Sequence, residues 1–117
     1  MKFSLIIPTY NNLEYLKLFV QSILENSNYN HQIIIHVNEG SDGTINFLNQ
    51  QKIDYTFTEQ NIGLCDAVNL ASKKINNDYL IYAHDDMYFC KNWDLKLESE
   101  IKSIKHNLFY ISGMKIS

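Results

Sequence analysis

The stretch FSLIIPTYNN, residues 3–12, changes from an apolar run into a polar turn within a few positions. A short, nearly continuous apolar run is typical of a strand that is buried on both faces of a parallel sheet. We therefore predict a first strand over residues 3–7, with a polar connection after it. Four further runs share this pattern, of which the second is the weakest: residues 33–37, 55–57, 79–83 and 108–111.

Apolar residues at helical spacing fill the segments between the predicted strands. In the first segment they recur at every third or fourth position, which is the spacing of an amphipathic helix. Its members are Leu13, Leu16, Phe19, Val20, Ile23 and Leu24. Residues 44–51, residues 64–75 and the segment around Leu97, Ile101 and Ile104 follow similar patterns. Strands that alternate with helices predict an α/β fold, with a mostly parallel sheet flanked by helices.

The composition is that of one ordinary globular domain. The chain has 117 residues, of which 45% are apolar and 20% charged, and its net charge is −3. We expect a single domain over residues 1–117, because an average domain has roughly 150 residues. All 10 basic residues are lysine, and a chain without arginine is not expected to bind nucleic acid.

Hydropathy bears on where the protein acts. No apolar run is long enough to cross a membrane, and no signal-peptide pattern is recognisable at the start of the sequence. We therefore expect a cytoplasmic protein, and a position at the membrane periphery is compatible with this expectation.

Polar residues gather where the predicted strands end. Ligands of parallel α/β sheets bind outside the carboxyl ends of the strands. Four stretches follow the strands at these ends and contain most of the Asp, Glu, Asn and Gly residues that do not suit a core: residues 8–12, 38–43, 59–63 and 84–88. Gly40, Gly43 and Gly63 lie in them, which predicts unusual backbone angles there.

The strongest of these signals is His84-Asp85-Asp86, directly after the predicted strand at residues 79–83. Two adjacent carboxylates repel each other, and a hard divalent cation relieves that repulsion. Mg²⁺ typically takes one or two carboxylates together with substrate phosphates. Neighbouring side chains of an extended segment point to opposite sides, so the two carboxylates need not bind the same ion. The ordinary alternative is a solvated turn in which one Asp caps the following segment.

A second candidate stretch is NEGSDGT, residues 38–44. A Gly-rich polar turn before a helix can cradle a phosphate, or it can offer carboxylates to a base or a ribose. The sequence is neither a P-loop nor a Gly-x-Gly-x-x-Gly motif. The alternative is a tight turn in which Asp42 or Thr44 caps the helix.

Two further stretches are weaker. In residues 8–12, Thr9 and Tyr10 could present a hydroxyl and an aromatic ring to a flat heterocycle, while Asn12 caps the first helix. An ordinary strand-to-helix connection is the alternative for this stretch. Residues 59–63 contain a short Asn-x-Gly turn, and Asn69 follows on a helix among apolar neighbours, where a buried amide would need hydrogen-bonding partners.

Taken in this order, the motifs resemble the family 2 glycosyltransferases of the GT-A fold. SLIIPTYN, residues 4–11, is similar to the opening strand of that family, and the strand and loop at residues 34–44 come next. The series continues with Asn61-Ile62-Gly63, Ala67 and Asn69, then Asn77-Asp78-Tyr79 and His84-Asp85-Asp86. The resemblance covers nearly all of residues 2–93. It implies a Rossmann-like domain that binds a nucleotide-diphosphate sugar.

The resemblance also implies roles for individual residues. Thr9 and Tyr10 correspond to residues that line the nucleoside pocket in the family, and Glu39 is the best candidate to contact the base or ribose. The acidic motif of the family binds the ribose and the metal that bridges the diphosphate, which implies Mn²⁺ or Mg²⁺ at Asp86 and Asp85. The expected nucleotide-sugar-binding residues are Pro8, Thr9, Tyr10, Asn11, Glu39, Asn61, Gly63, Asn69 and Asp85.

The chain departs from the family pattern at several of these points. His84 stands where the family usually has the first Asp of the acidic motif, and Asn38-Glu39 follows Val37 where Asp-Asp or Asp-Asn is usual. Many relatives carry an Arg at the position of Val68. Without arginine, the charge of a diphosphate must be met by metal, lysine or backbone amides.

The implied function is metal-assisted binding of a nucleotide-diphosphate sugar, with UDP as the expected nucleotide, for inverting transfer of a hexose to an unidentified acceptor. In relatives the general base comes from the second half of the domain, so we identify no catalytic residue. We therefore expect a truncated GT-A domain in which the acceptor-binding half is absent, and self-association as a homo-oligomer through an exposed edge or apolar patch. The alternative is a non-catalytic nucleotide-sugar-binding or interaction module that has lost transfer activity.

Overall fold

The computed structural model describes residues 1–103 and contains a four-stranded parallel sheet with helices on both faces. The predicted α/β architecture is therefore confirmed. In chain order the elements are β1 (Phe3–Tyr10), α1 (Leu13–Asn26), β2 (Gln32–Asn38), α2 (Thr44–Gln51), β3 (Asp54–Thr58), α3 (Leu64–Ser72), β4 (Tyr79–Tyr82) and α4 (Trp93–Ser103). The predicted strand at residues 108–111 lies outside the described residues, as does Ile104.

The strands lie in the order β3-β2-β1-β4, and every neighbouring pair is parallel. Ile6 at the centre of β1 pairs with Ile34 of β2 and with Tyr82 of β4. The chain builds outward from β1 to β3 and then crosses back to place β4 on the other side of β1. The strand order therefore reverses between β1 and β4, and α/β sheets bind their ligands in the crevice at the carboxyl ends of the strands at such a point.

Alternating side chains of the two central strands fill two cores. On one face, Phe3, Leu5 and Ile7 pack with residues of α1 and α4, and all three side chains are fully buried. On the other face, Ile6 and Ile34 pack against α3. Both strands are thus covered on both sides, which explains their nearly continuous apolar sequence.

β1 continues to Tyr10, beyond the predicted end at Ile7, because Thr9 and Tyr10 still pair with β2. Pro8 does not interrupt the strand. The carbonyl of Ile6 points toward β4, where it accepts the hydrogen bond of Ala83 at 3.0 Å. The backbone nitrogen of Pro8 faces the side of β4 as well. The last residue of β1 that pairs with β4 is Ile6, so the missing N–H of Pro8 removes no hydrogen bond from the paired part of the sheet.

The cap predicted for α1 is wrong, whereas the carboxylate of Asp42 does bind the start of α2, although Gly43 is the cap residue there. The side chain of Asn12 makes no capping bond to α1, and Oδ2 of Asp42 accepts the hydrogen bond of the Leu13 amide instead, at 3.0 Å. The cap residue of α2 is Gly43, while Oδ1 of Asp42 accepts the hydrogen bond of the Thr44 amide at 3.2 Å. One carboxylate therefore serves the starts of two helices, an arrangement that spacing along one helix does not reveal.

Candidate functional site

The crevice between β1 and β4 joins two motifs that lie far apart in the sequence. β4 pairs with β1 only as far as Ile6, so the last residues of β1 extend past it. The hydroxyl of Thr9 donates a hydrogen bond to Oδ2 of Asp85 at 2.7 Å. Thr9 is buried, and the carboxylate of Asp85 is half-buried beside it. The first predicted stretch and the acidic motif therefore form one site.

The loop after β2 contributes a second carboxylate to the same edge. Glu39 lies beside Tyr10, where hydrogen bonding to its carboxylate and the negative charge of that carboxylate raise the pKa of Tyr10. The hydroxyl of Ser41 donates to Oε1 of Glu39 at 3.3 Å, and the amide of Ser41 donates to Oδ1 of Asn11 at 3.0 Å. Tyr10 and Glu39 are exposed, so the aromatic ring and the carboxylate are both accessible to a ligand.

Asn38 is a residue that sequence reasoning did not single out as a binding-site residue. It is buried at the end of β2, where its Nδ2 donates to the carbonyl of Thr9 at 3.2 Å. Its Oδ1 accepts the hydrogen bond of the Ile62 amide at 3.1 Å. One amide side chain thus ties β1 to the loop at residues 59–63. The available signal was an Asn at the end of an apolar strand, since a buried amide needs partners.

The backbone of these loops adopts left-handed angles, as the glycines predicted. Gly40, Gly43 and Gly63 have φ of 68°, 92° and 81°. Glu39 also has a φ of 67°, which is uncommon for a residue with a side chain. A Cβ atom on Gly40 would lie 2.6 Å from Cγ1 of Val37, so glycine is required there. The angles turn the chain sharply and leave the Glu39 side chain at the edge of the sheet.

The acidic motif is less enclosed than Thr9. Asp86 and His84 are exposed, and Nδ1 of His84 lies 3.2 Å from the hydroxyl of Tyr82. Burial raises the pKa of Tyr82, and the negative charge of Asp85 adds to this effect. Within residues 1–103, no hydrogen bond joins Asp86 to the other predicted site residues.

The remaining predicted site residues lie along the third loop and the helix after it. Asn61 accepts the hydrogen bond of the Gly63 amide at 3.0 Å and so shapes the turn before α3. Asn69 lies exposed on α3, so its amide does not need partners within the chain. In the described part of the chain, no side-chain hydrogen bond connects Asn69 to the crevice. Pro8 is half-buried within β1.

The side chains at the acidic motif determine whether a divalent cation can bind there. Among residues 1–103, no group of three or more His, Cys, Asp or Glu side chains is arranged to hold a metal ion. Asp85 and Asp86 provide two adjacent carboxylates, one half-buried and one exposed. This number of protein ligands suits a hard cation that takes its remaining ligands from substrate phosphates and water. The residues therefore fit a cation that binds together with its ligand.

Comparison with known proteins agrees with this geometry. The model of the family described as "Glycosyl transferase family 2" matches residues 4–117. The chain belongs to this family. It is 32% identical over 116 residues to an uncharacterized glycosyltransferase of Rickettsia bellii. That match covers 95% of this chain but 16% of the relative, so the chain spans about a sixth of the relative's length.

Solved structures show the same fold. The chain superposes on Staphylococcus aureus TarS 1-349 in complex with UDP-GlcNAc with a TM-score of 0.78 and 21% identity, which covers 88% of this chain and 32% of TarS. It also superposes on the mannosyltransferase PcManGT of Pyrobaculum calidifontis, in complex with GDP-Man and Mn²⁺, with a TM-score of 0.64 and 18% identity. That match covers 74% of this chain and 28% of PcManGT. The sheet is therefore a truncated, Rossmann-like GT-A fold.

A membrane-spanning helix is not part of the described structure. None of the helices within residues 1–103 is both long enough and apolar enough to cross a bilayer.

Proposed function

We propose that this glycosyltransferase domain binds a nucleotide-diphosphate sugar, specifically a UDP-sugar, in the crevice between β1 and β4, together with a divalent cation. The bound sugar would be the donor for inverting transfer of a hexose. The observation that carries the proposal is the 2.7 Å hydrogen bond between Thr9 and Asp85. It places a half-buried carboxylate at the reversal of strand order, where α/β folds bind their ligands.

The nucleoside end of the ligand is assigned to the side of β2. Tyr10 offers an exposed ring on which a base can stack, and the carboxylate of Glu39 lies beside its hydroxyl. A carboxylate accepts hydrogen bonds from the hydroxyls of a ribose or from the N–H of a base. Asn11 supports this arrangement through its bond to Ser41. These contacts orient Glu39 before a ligand arrives.

The diphosphate is assigned to the side of β4. The chain contains no arginine, so a cation at Asp85 and Asp86 is the natural partner for phosphate charge. When bound, such a cation stabilises the negative charge that develops on a departing diphosphate. Asp85 is oriented for this role by Thr9.

Structural neighbours support the assignment at the level of ligand class. TarS was solved with UDP-GlcNAc, and PcManGT with GDP-Man and Mn²⁺. Because the curated relatives are much longer than this chain, we propose that residues 1–117 are the donor-binding half of a larger catalytic unit. The acceptor and the general base are then provided outside this half. A binding module without transfer activity would share the same site and differ only in turnover.

A thermal-shift panel tests the proposal. The chain is heated with UDP-, GDP- and ADP-sugars, each with Mn²⁺, with Mg²⁺ or with a chelator. We expect the melting temperature to rise with a UDP-sugar only when the cation is present, because ligand binding stabilises the folded state. Asp86→Ala should abolish the rise. Asp54→Ala removes an exposed carboxylate at the amino end of β3 and should retain it.

The outcomes separate the possibilities. The absence of a shift with every nucleotide and cation would overturn the proposal. Release of sugar from a UDP-sugar by the 117-residue chain would exclude the module without turnover. Binding without release would favour that module or a requirement for the rest of the catalytic unit.

A further inference from the structure

His36 interrupts the apolar sequence of β2 and is fully buried. Its two ring nitrogens contact two threonines of the neighbouring strand. Nδ1 lies 2.7 Å from Oγ1 of Thr56, and Nε2 lies 3.1 Å from Oγ1 of Thr58. A buried imidazole with partners on both nitrogens satisfies its hydrogen bonds, but in an apolar strand it is an unusual residue.

The contacts of Thr58 determine which nitrogen of His36 carries the proton. The hydroxyl of Thr58 donates its single hydrogen to the carbonyl of Gln60 at 2.7 Å. It must therefore accept from Nε2 of His36, which is protonated. Burial lowers the pKa of His36, an effect that the nearby Asn38 partly offsets, so the ring is neutral. Nδ1 then accepts the hydrogen bond of the Thr56 hydroxyl.

This chain of bonds reaches the loop at residues 59–63. Because the Thr58 hydroxyl accepts the hydrogen bond of Nε2 of His36, its own hydrogen is directed toward the carbonyl of Gln60. Two residues later, the Ile62 amide donates to Asn38. The loop is thus held at Gln60 through Thr58 and His36, and at Ile62 through Asn38. His36 and Asn38 lie on the same face of β2, since they are two residues apart on one strand.

We propose that His36 is a positioning residue, which orients the Thr58 hydroxyl and thereby holds the loop at residues 59–63 in place for the nucleotide sugar. The last part of this statement rests on the proposed function. Thr56 is the internal control. Its hydroxyl is hydrogen-bonded to the same imidazole, but it has no hydrogen bond to the loop at residues 59–63.

The test compares Thr58→Val with Thr56→Val in the full 117-residue chain. Each substitution replaces a half-buried threonine of β3 by an isosteric valine and removes one bond to His36. Only Thr58→Val cuts the connection to Gln60. The first readout is hydrogen exchange of the Ile62 amide, which needs no nucleotide. The second is the Kd for UDP with Mn²⁺, measured by calorimetry.

We expect Thr58→Val to raise the exchange rate of Ile62 and the Kd for UDP by about tenfold, the effect of losing one hydrogen bond. Thr56→Val should change each by less than about twofold, at a similar cost in melting temperature. Long-range ¹H–¹⁵N spectra should show His36 neutral with the proton on Nε2. Equal effects of the two valines on the loop, or a proton on Nδ1, would overturn the proposal.

The two proposals fail in different ways. If the wild-type chain does not bind UDP, the proposed function is wrong, and the exchange rates of Ile62 alone decide whether His36 positions the loop. If the wild-type chain binds UDP but the two variants do not differ, the proposed function stands and the role of His36 is refuted.

Discussion

The carboxylates at the two ends of the parallel sheet differ in burial and in the number of hydrogen bonds that they accept. At the amino end, the side chain of Asp94 is fully buried, and its two oxygens accept five hydrogen bonds from surrounding groups. The donors are the amides of Asn28, Tyr29 and Leu95, the side-chain amide of Asn28, and Nε2 of His31. At the carboxyl end, Asp85 accepts one from Thr9, and Asp86 is exposed.

The pKa values of Asp94 and His31 at the amino end follow from their burial and hydrogen bonds. Burial alone would raise the pKa of Asp94, but the bonds from Asn28, His31 and Tyr29 outweigh it and lower the value to about 2. Nδ1 of His31 accepts the hydrogen bond of the Phe3 amide at 3.0 Å, so the ring is neutral and donates from Nε2. Burial lowers the pKa of His31, although Asp94 opposes this effect.

The difference separates a carboxylate that stabilises the fold from carboxylates that can bind a ligand. Asp94 joins the end of α1, the start of β2 and α4, and its hydrogen-bonding capacity is used within the chain. Asp85 and Asp86 contribute little to packing and keep oxygens available to a cation. Substitutions at the two ends should therefore affect different properties.

The largest effect is expected from Asp94→Asn. The amide cannot accept all the hydrogen bonds of the carboxylate, and its N–H₂ group faces backbone donors. We expect the free energy of unfolding to fall by about 3 kcal/mol, as for other broken buried networks. Chemical denaturation measures the change. The Kd for UDP with Mn²⁺, measured on folded protein, should stay within about twofold. A large loss of affinity at unchanged stability would contradict the comparison.

Acidification should affect the amino end next. Because the pKa of Asp94 is about 2 when folded and 3.8 ordinarily, its stabilisation is complete above the unfolded value and lost as the pH falls toward the folded one. The loss amounts to about 2 kcal/mol. His31 acts in the same direction below its ordinary pKa of 6.5, since burial disfavours its protonation. Denaturation curves between about pH 7 and about pH 2 measure the slope over the range in which both groups titrate.

Asp94→Asn provides the control for this pH dependence. The variant should lose the acid-induced decrease between about pH 4 and pH 2 and retain the part that belongs to His31. An unchanged slope below pH 4 would assign the decrease to other carboxylates.

Asp85→Asn should weaken ligand binding without affecting stability. The amide still accepts the bond from Thr9, so the fold is preserved while the charge is removed. We expect the Kd for UDP with Mn²⁺ to rise by about 20-fold, the effect of a lost charged contact. The melting temperature without ligand should be unchanged. Calorimetry measures the first quantity and thermal unfolding the second, and a reversed pattern would place Asp85 with the stabilising carboxylates.

The smallest effect is expected from Thr9→Val. The substitution keeps the shape of the buried side chain and removes the hydroxyl that orients Asp85. We expect about a fivefold rise in the Kd for UDP with Mn²⁺. Thr56→Val, a threonine-to-valine change outside the crevice, is the matched control. Equal effects of the two substitutions would show that the Thr9–Asp85 bond does not prepare the site.

Much of the fold could be predicted from the apolar runs of β1 and β2, because a strand buried on both faces leaves a clear local pattern. The left-handed turns were predictable from Gly40, Gly43 and Gly63, since glycine is the residue that adopts them without strain. The polar stretches at the strand ends were expected to lie together, because parallel strands bring their carboxyl ends to one edge, and the bond between Thr9 and Asp85 shows that two of them do.

Contacts between distant residues could not be predicted in this way. The bond between Asp94 and His31 joins residues 63 positions apart, and no local pattern in the sequence indicates it. The bonds of Asp42 to the starts of two helices likewise depend on how the chain folds. The same is true of the hydrogen bonds that connect Asn38 and His36 to the loop at residues 59–63. The end of β1 was placed too early because the apolar run ends at Ile7, whereas Thr9 and Tyr10 still pair with β2.

Paramagnetic broadening by Mn²⁺ in the presence of UDP tests the central claim most directly. Amide signals of the ¹⁵N-labelled chain are recorded as the metal is added to the nucleotide complex. We predict that signals of Thr9, Asp85 and Asp86 broaden first, while those of His31 and Asp94 persist. Broadening at the amino end of the sheet, or uniform broadening without a preferred site, would contradict the account.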